Sequence, residues 1–473
     1  LLVSKKTKTG IDFLSGYISL KGIGVVKSAV LGDFGVNLGQ GLTAWHSFSV
    51  HKSSDVMSVK REGAVISPYR SSDENGFLRG AAVLLGKGKL SGVFFISSKN
   101  KDAKVALDTL GGIGSYVTYF PTTGLHRTES EYNSMHTHME TLTGASFIFH
   151  AEKFHLQLNA LTRKYSIPVQ AGGDVYNRFY FSGMRCSNVS AGYSFFLSGT
   201  NNFGELAMDE KGNVAFVHGL LMPLSRKADL SFYCRNISSR FNSIAGDIFT
   251  DGFQISNEFG FYSGISIRPK KNCELGFFID TYRQPWVQFQ TPYSKYGRQI
   301  LLSGNFAVSR HSQISFRFNK QSEGSSLESI FGSFESDKEG IYRFKYDFRT
   351  ERPSGMILSS GFRLTYCSSA KQSDLTTGLA IISSLQWKVR KLSSFISASF
   401  FDVDNYKSSI YSLEKSINGS SDFLIFQGSG VRLSGVFEVS IIKRMQLSMA
   451  FGITGRIEEN YVSQGKLSLQ YNW

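Results

Sequence analysis

The chain has 473 residues, with 47 Gly, 8 Pro, 40 Phe and 21 Tyr, and its 52 Lys and Arg against 37 Asp and Glu give a net charge of +15. No run of about 18 apolar residues would cross a bilayer as a helix, and an aromatic content of 14% excludes a disordered chain, because such a sequence buries enough apolar surface to fold. Chains of this length usually divide into domains, but no Pro-rich or low-complexity linker interrupts this one, so one large β-structure is the simplest reading.

Strand-like segments fall at 15–22, 26–38, 77–86, 89–98, 142–150, 154–162, 188–197, 203–209, 214–223, 228–236, 257–267 and 273–282. They continue at 299–309, 312–320, 339–349, 356–368, 376–389, 392–403, 428–440, 445–454 and 465–473, about 21 in all. Many alternate strictly. Ile314, Phe316 and Phe318 oppose Gln313, Ser315, Arg317 and Asn319, and Tyr342, Phe344, Tyr346 and Phe348 oppose Arg343, Lys345 and Asp347. The last segment sets Leu467, Leu469, Tyr471 and Trp473 against Ser468, Gln470 and Asn472.

A soluble sandwich also alternates. The number, length and aromatic ends of these segments instead fit an all-β fold, a large antiparallel transmembrane outer-membrane β-barrel. Short connections alternate with long ones, as periplasmic turns alternate with extracellular loops. With Trp473 at the periplasmic side, residues 1–14 fall outside the cell. The even strand number of such barrels then predicts further strands before Leu1 and a parent barrel of about 22–24 strands.

The short turns carry Arg226, Lys227, Arg268, Lys270, Lys271, Arg390, Lys391, Lys443 and Arg444, a basic periplasmic rim. Such a rim suits lipid phosphates, or an anionic partner such as nucleic acid or an acidic envelope protein. Two connections are long and polar, at 39–76 and 99–141. The first holds Arg61, Arg70, Asp73 and Glu74, with Arg79 just beyond; the second holds His126, Arg127, Glu129 and Glu131. Opposite charges this close suit loops folded into a lumen as a plug or lid, because a charge away from water needs a partner.

The passage Leu31-Gly32-Asp33 through Gly39-Gln40-Gly41-Leu42, the stretch from Pro68-Tyr69 to Arg79-Gly80, and Gly124-Leu125-His126-Arg127-Thr128-Glu129 resemble outer-membrane proteins of Bacteroidota that carry a helix-hairpin-helix domain. The resemblance continues through Gly204-Glu205-Leu206-Ala207, Asn257 to Gly264, Asp280 and Pro285-Trp286, and covers most of 13–300. It implies a barrel, with strands upstream of Leu1. The DNA-gripping helical module of that family has no counterpart in this sequence, so its DNA link transfers to no residue here.

His136 and His138, near His126 and His150, are the only hint of a metal site, and adjacent loop histidines are more often polar surface. Cys234 shares a face with Leu230 and Phe232, and Cys273 with Leu275 and Phe277, which points these two toward lipid on separate strands, and free thiols are expected at all four cysteines, Cys186 and Cys367 included. Glycine-rich fragments such as Gly111 to Gly114 lack the strand-to-helix setting of a dinucleotide site. No catalytic constellation stands out, and neither an enzyme nor a cofactor is expected.

Two function classes remain. The first is a gated conduit with a loop-plugged lumen that passes an anionic or large substrate, DNA entering only through the family resemblance. The second is a non-conducting plugged barrel that anchors or joins an envelope or secretion assembly. A permanent plug would be fixed by aromatics such as Trp45, Phe48, Tyr69 and Tyr116. Either protein sits in the outer membrane of a Gram-negative bacterium, in contact with its lipid and with the barrel-assembly machinery through the C-terminal strand bearing Leu469, Tyr471 and Trp473.

Overall fold

A strand with one apolar and one polar face must show each face to a different environment. In the computed structural model the strands do so by pairing edge to edge in a single antiparallel wall. The structure describes all residues except 1, 8–9, 49–51, 70–74, 108–113, 123, 125, 127, 253, 290, 292, 330–331, 336–338, 370–374, 418–419, 443, 458–460 and 472–473; for 2–7, 10–13, 326–329, 332–335, 369 and 471 it describes the backbone alone.

In chain order the strands are β1 (Leu2–Thr7), β2 (Gly10–Ile23), β3 (Val26–Val36), β4 (Ile66–Pro68), β5 (Leu78–Lys87), β6 (Leu90–Lys101), β7 (Lys104–Leu107) and β8 (Ser115–Tyr119). The helix α1 (Glu129–Asn133) follows, then β9 (His138–Ala151), β10 (Phe154–Val169), β11 (Gly183–Leu197), β12 (Thr200–Asp209), β13 (Val214–Ser225) and β14 (Ala228–Ile237). Next come β15 (Glu258–Lys270), β16 (Cys273–Gln284), β17 (Ser294–Ala307), β18 (Ser312–Ser329), β19 (Gly332–Glu335), β20 (Glu339–Glu351), β21 (Ile357–Ser369) and β22 (Thr376–Val389). The last are β23 (Leu392–Val403), β24 (Ile410–Lys415), β25 (Ser421–Phe426), β26 (Gly428–Ile442), β27 (Met445–Arg456) and β28 (Val462–Tyr471).

Of the 26 strands in the main sheet, β4, β7, β8 and β19 are short side strands, and the other 22 form a continuous antiparallel ladder from β1 to β28. Every segment read from the sequence is one of these wall strands. The expectation of an outside loop at 1–14 is corrected, because Leu2–Thr7 pairs with the first half of β2. That pairing brings the wall to the even number the parity argument requires. Among the described residues no pairing joins β1 to β28.

The register aligns the faces across the wall. Tyr233 pairs with Tyr262 and Tyr262 with Asp280, all buried. On the other face Cys234 pairs with Phe261, and Phe259, Phe261 and Phe277 are 59%, 47% and 43% exposed. The same sorting runs round the sheet. Leu31, Phe94, Ile96, Leu206, Leu302, Ile381, Phe400, Leu433, Met449 and Leu467 stand exposed on one face, while Glu140, Gln157, Asn159, Glu205, Arg235, Asp280, Asn319 and Arg432 are buried on the other.

This inverts a water-soluble sandwich. A continuous apolar face has to meet lipid, and the polar face encloses the chain's own loops. All four cysteines are free, with Cys234 and Cys273 on the apolar face as expected and Cys186 and Cys367 buried. Among the described residues no helix is long and apolar enough to cross a membrane.

The apolar face predicts the response to charge. Leu206→Arg, on that face and 48% exposed, should lower unfolding stability in lipid vesicles by about 2–4 kcal/mol. Denaturant titration of the refolded barrel checks it, and an unchanged midpoint would count against a lipid-facing wall.

Candidate functional site

The polar face closes over two inserted segments. The first, 37–65, leaves β3 through the turn Gly39-Gln40-Gly41. Gly39 and Gly41 have φ of 56° and 93°, the left-handed region that glycine enters without strain. Side chains are excluded as well, since a Cβ at 39 would lie 2.5 Å from the Glu205 carboxylate and one at 41 would lie 2.2 Å from the Asp247 carbonyl oxygen. The turn aims its N–H groups at the wall: Gln40 and Leu42 donate to Glu205 Oε2 at 2.7 and 3.0 Å, and Gly39 donates to Gln157 Oε1 at 3.3 Å. A buried carboxylate is thus held by backbone dipoles.

Asn37 closes the base of the segment. Its Oδ1 accepts from the backbone N–H of His46 and Ser47 at 2.9 and 3.0 Å, and its Nδ2 donates to the Ala64 carbonyl at 2.8 Å. His46 Nδ1 lies 2.9 Å from the Val36 carbonyl oxygen, which only accepts, so this nitrogen carries the proton. Burial pulls the His46 pKa down to about 4, against the hydrogen bond to Val36, and nearby Arg163, Lys101 and Lys99 act in the same direction as burial.

The second segment, 238–257 between β14 and β15, was not singled out in the sequence. Its backbone pairs with the first: Trp45 donates to the Ala245 carbonyl at 2.8 Å, Ala245 to that of Thr43 at 3.0 Å, and Asp247 to that of Gly41 at 3.0 Å. Leu42, Val56 and Val59 of the first segment join Phe241, Ile248, Phe249 and Ile255 of the second in one cluster with Phe203, Tyr233, Tyr262 and Phe278 of the wall. The Phe249 ring meets Tyr233 and Tyr262 edge-on at 5.4 and 5.0 Å.

Charge joins the same parts. Arg235, Glu258 and Asp280 have wholly buried side chains; Arg235 donates to both oxygens of Asp280 at 2.8 and 3.0 Å and pairs with Glu258. Lys52 of the first segment reaches Asp280 at 2.7 Å and also pairs with Asp251 of the second. Glu258 accepts further from Thr250 Oγ1 at 2.8 Å and Gln284 Nε2 at 3.1 Å. Ser231, Tyr262, Ser303 and Arg317 of the wall donate to the carbonyls of Val56, Val56, Ser54 and Lys52 at 2.6, 3.0, 3.2 and 3.0 Å.

A third insertion, 404–427, carries the separate hairpin β24–β25 and lies against β20 to β28. Glu414 accepts from Arg432 Nε at 3.1 Å and from its terminal nitrogen at 2.6 Å, Asp422 meets Lys466 at 2.5 Å, and Lys407 meets Glu339 at 2.6 Å. Phe426 stacks on Phe401 with ring centroids 4.7 Å apart.

The residues singled out in the sequence divide among these parts. Arg61 lies 5.8 Å over the Trp45 ring and 3.4 Å from Asp247, and burial lowers its pKa against the pull of that carboxylate. Arg79 clamps Asp33 at 2.7 and 3.0 Å. His126 pairs with Asp102 at 2.9 Å. Glu131 caps α1, its carboxylate accepting from the Thr128 N–H at 3.1 Å, and Glu129 is exposed in the first turn. Arg70, Asp73, Glu74 and Arg127 lie outside the described residues.

Among the described residues, Arg61, Arg79 and His126 thus take partners far along the chain, Asp247, Asp33 and Asp102. Trp45 and Tyr69 are buried, whereas Phe48, expected as an anchor, is 93% exposed, and Tyr116 is half-buried. Much of 102–137 is exposed, with β7 and β8 forming a hairpin that touches the end of β10 through Val117 and Val169.

Arg226, Lys227, Arg268, Lys270, Lys271, Arg390, Lys391 and Arg444 all fall at the short-turn end of the wall, and Lys443 lies outside the described residues. Arg268 pairs with Asp229, and Lys391 donates to the Ile441 carbonyl at 3.4 Å. Leu469 lies on β28 between Ser468 and Gln470, Tyr471 is described there by its backbone alone, and Trp473 lies outside the described residues. Among the described residues no cluster of three or more His, Cys, Asp or Glu is arranged to hold a metal ion.

No family model matches the chain, and no curated protein matches it. Among solved structures, the closed form of the ferric-catecholate import receptor Fiu of E. coli K12 is 9% identical, with 93% of this chain and 74% of that one covered and a TM-score of 0.45. The FrpB iron transporter of Neisseria meningitidis is 10% identical over 83% of this chain and 70% of that one, with a TM-score of 0.42. OccK9 (OpdG) of Pseudomonas aeruginosa is 11% identical over 81% and 96%, with a TM-score of 0.35.

Two outcomes follow from the buried charges. Arg235→Met strands Glu258 and shifts Asp280 onto Lys52 alone, which should cost about 3–5 kcal/mol; thermal unfolding of the detergent-solubilised barrel measures it. His46 is uncharged when folded, so its contribution is complete above pH 6.5 and is lost as pH falls toward about 4. Hydrogen exchange at 37–48 should accelerate across that window, and His46→Gln should flatten the change.

Proposed function

We propose that the protein is an outer-membrane conduit whose lumen is filled at rest by its own segments 37–65 and 238–257, and that their displacement admits an anionic solute. The observation that carries this reading is the mixed attachment of the first segment to the wall. Hydrogen bonds to Glu205 and Gln157 and ion pairs through Lys52 fix its position, and such polar contacts exchange with water at modest net free-energy change if the segment moves as a unit. The wall needs none of these contacts for its own ladder, so the lumen can open without unfolding the barrel. The short turns face the periplasm in this orientation, and the basic rim there meets lipid phosphates or an acidic envelope partner.

One observation favours the second reading, a non-conducting anchor or assembly subunit. The cluster that Leu42, Val56 and Val59 form with Phe249 and the wall aromatics is apolar, and separating it exposes surface at roughly 25 cal/mol per Å². A plug held mainly in this way would stay in place.

Planar-bilayer conductance separates the two. The intact protein should be silent or nearly so. Replacing 40–64 by a short Gly-Ser linker should open a steady anion-preferring conductance, while removing 104–134, which lies largely outside the lumen contacts, should leave the barrel silent. A folded barrel that remains silent without 40–64 would overturn the conduit.

A further inference from the structure

Between the first plug segment and the β24–β25 hairpin the lumen keeps a cavity of about 320 Å³. Its charged lining is Arg317, Arg343, Lys345 and Arg363. Three of these lie side by side on adjacent strands, since Arg317 pairs in register with Lys345 and Lys345 with Arg363. Like charges directly opposite one another in a sheet are destabilising. Among the described residues the one carboxylate beside them is Asp347, 3.3 Å from Lys345 and 2.6 Å from Arg363. Arg317 spends a donor on the Lys52 carbonyl at 3.0 Å, and Arg343 Nε is buried with no hydrogen-bond partner among the described residues. Four cations against one acid, with an unused guanidinium donor, form a site that is incomplete as it stands.

Arg363 is shared with a second cavity of about 170 Å³ whose lining includes Ser384, Ser397, Ser399 and Ser412. The acids bordering it are already matched, Asp347 by Arg363 and Glu414 by Arg432. Guanidinium forks bind the oxygens of a tetrahedral phosphate bidentately. A row of hydroxyls with no spare charge suits a neutral, hydroxyl-rich body.

We propose that this pair of cavities is a binding site for a phosphorylated polyol of sugar-phosphate size, the phosphate held by Arg317, Arg343, Lys345 and Arg363 and the hydroxyls by the serine-lined side. The inference rests on the conduit reading for its purpose and names the class of solute that would use it. Lys345 is 51% exposed, so the site is open to the solvent-filled part of the lumen while the plug is in place.

Titration calorimetry on the detergent-solubilised chain tests it with glucose 6-phosphate, glucose and inorganic phosphate. Glucose 6-phosphate should bind, inorganic phosphate more weakly, and glucose not at all. In the Arg343→Gln, Lys345→Gln double variant, with the barrel confirmed as folded by its heat-dependent gel mobility, affinity for glucose 6-phosphate should fall about tenfold or more, equivalent to about 1.4 kcal/mol. Lys320→Gln, which alters a cation outside the cavity, should leave it unchanged. Absence of heat with the unaltered protein, or equal affinity in the double variant, overturns the site. Because calorimetry needs no passage, binding by a barrel that never conducts would sustain the site and remove the conduit, and a conducting barrel without binding would do the reverse.

Discussion

The interior of this barrel depends on one carboxylate serving two masters. Asp280 accepts both terminal nitrogens of Arg235 on the neighbouring wall and also holds Lys52 of the inserted segment. An isolated charge at this depth would be too costly to keep ionised, so the pairing fixes where the segment sits as firmly as packing does. Three carboxylates, Asp251, Glu258 and Asp280, face two cations, Lys52 and Arg235. Removing Lys52 from that group raises the carboxylate excess from one to two beside β16. The plug is therefore part of the electrostatic balance of the wall, and its displacement requires water or another cation to take its place.

The outer face imposes a complementary constraint. Because Phe261, Phe277 and Leu302 already occupy the apolar side, strict alternation commits Tyr262, Asp280 and Ser303 on the same strands to the lumen. The lumen is then too wide for side chains alone to fill, as barrels of this size are. Three inserted segments make up the difference, each attached by a mixture of aromatic contact and ion pair. Backbone groups within the insertions are satisfied against one another, as in the pairing of 43–47 with 245–247, or by wall side chains such as Ser231 and Tyr262.

The wall was legible in the sequence because period two is a local signal that survives without knowledge of any partner. Tyr342 to Phe348 reads as a strand on its own terms. β1 was not legible, since Leu2–Thr7 has no comparable alternation and is placed by its pairing with β2. The lumen was read only in outline. The segment 39–76 was marked by its polarity and glycines, but the partner of Gln40 is 165 residues away, a separation at which spacing carries no information. The segment 238–257 was missed because it has few charges. Its signal was of another kind: Phe241, Ile244, Ile248, Phe249 and Ile255 are too apolar for a water-exposed connection, and that density could have identified it as buried. Charge spacing along the chain could not name the partners of Arg61 and Arg79, because those partners lie far away in sequence. Arg79 takes Asp33 through the register of β3 and β5, and Arg61 takes Asp247 across the two inserted segments.

The two sides of the lumen differ in a way that bears on any route through it. Along β12 to β17 the wall presents acids, Glu205, Glu258 and Asp280, and the plug answers them with N–H dipoles and Lys52. Along β18 to β21 the wall presents Arg317, Arg343, Lys345 and Arg363, and among the described residues no inserted segment answers them with an acid; Asp347 comes from the wall itself. The first side is thus rich in acids and the other rich in cations. A protein that needed only to seal its lumen would gain by extending the acidic hairpin β24–β25 over those cations, and Glu414 and Asp422 are instead spent on Arg432 and Lys466. Under the conduit proposed above, the cations of β18 to β21 are where an entering anion would be held, with the inserted segments 37–65 and 238–257 on the opposite side of the lumen.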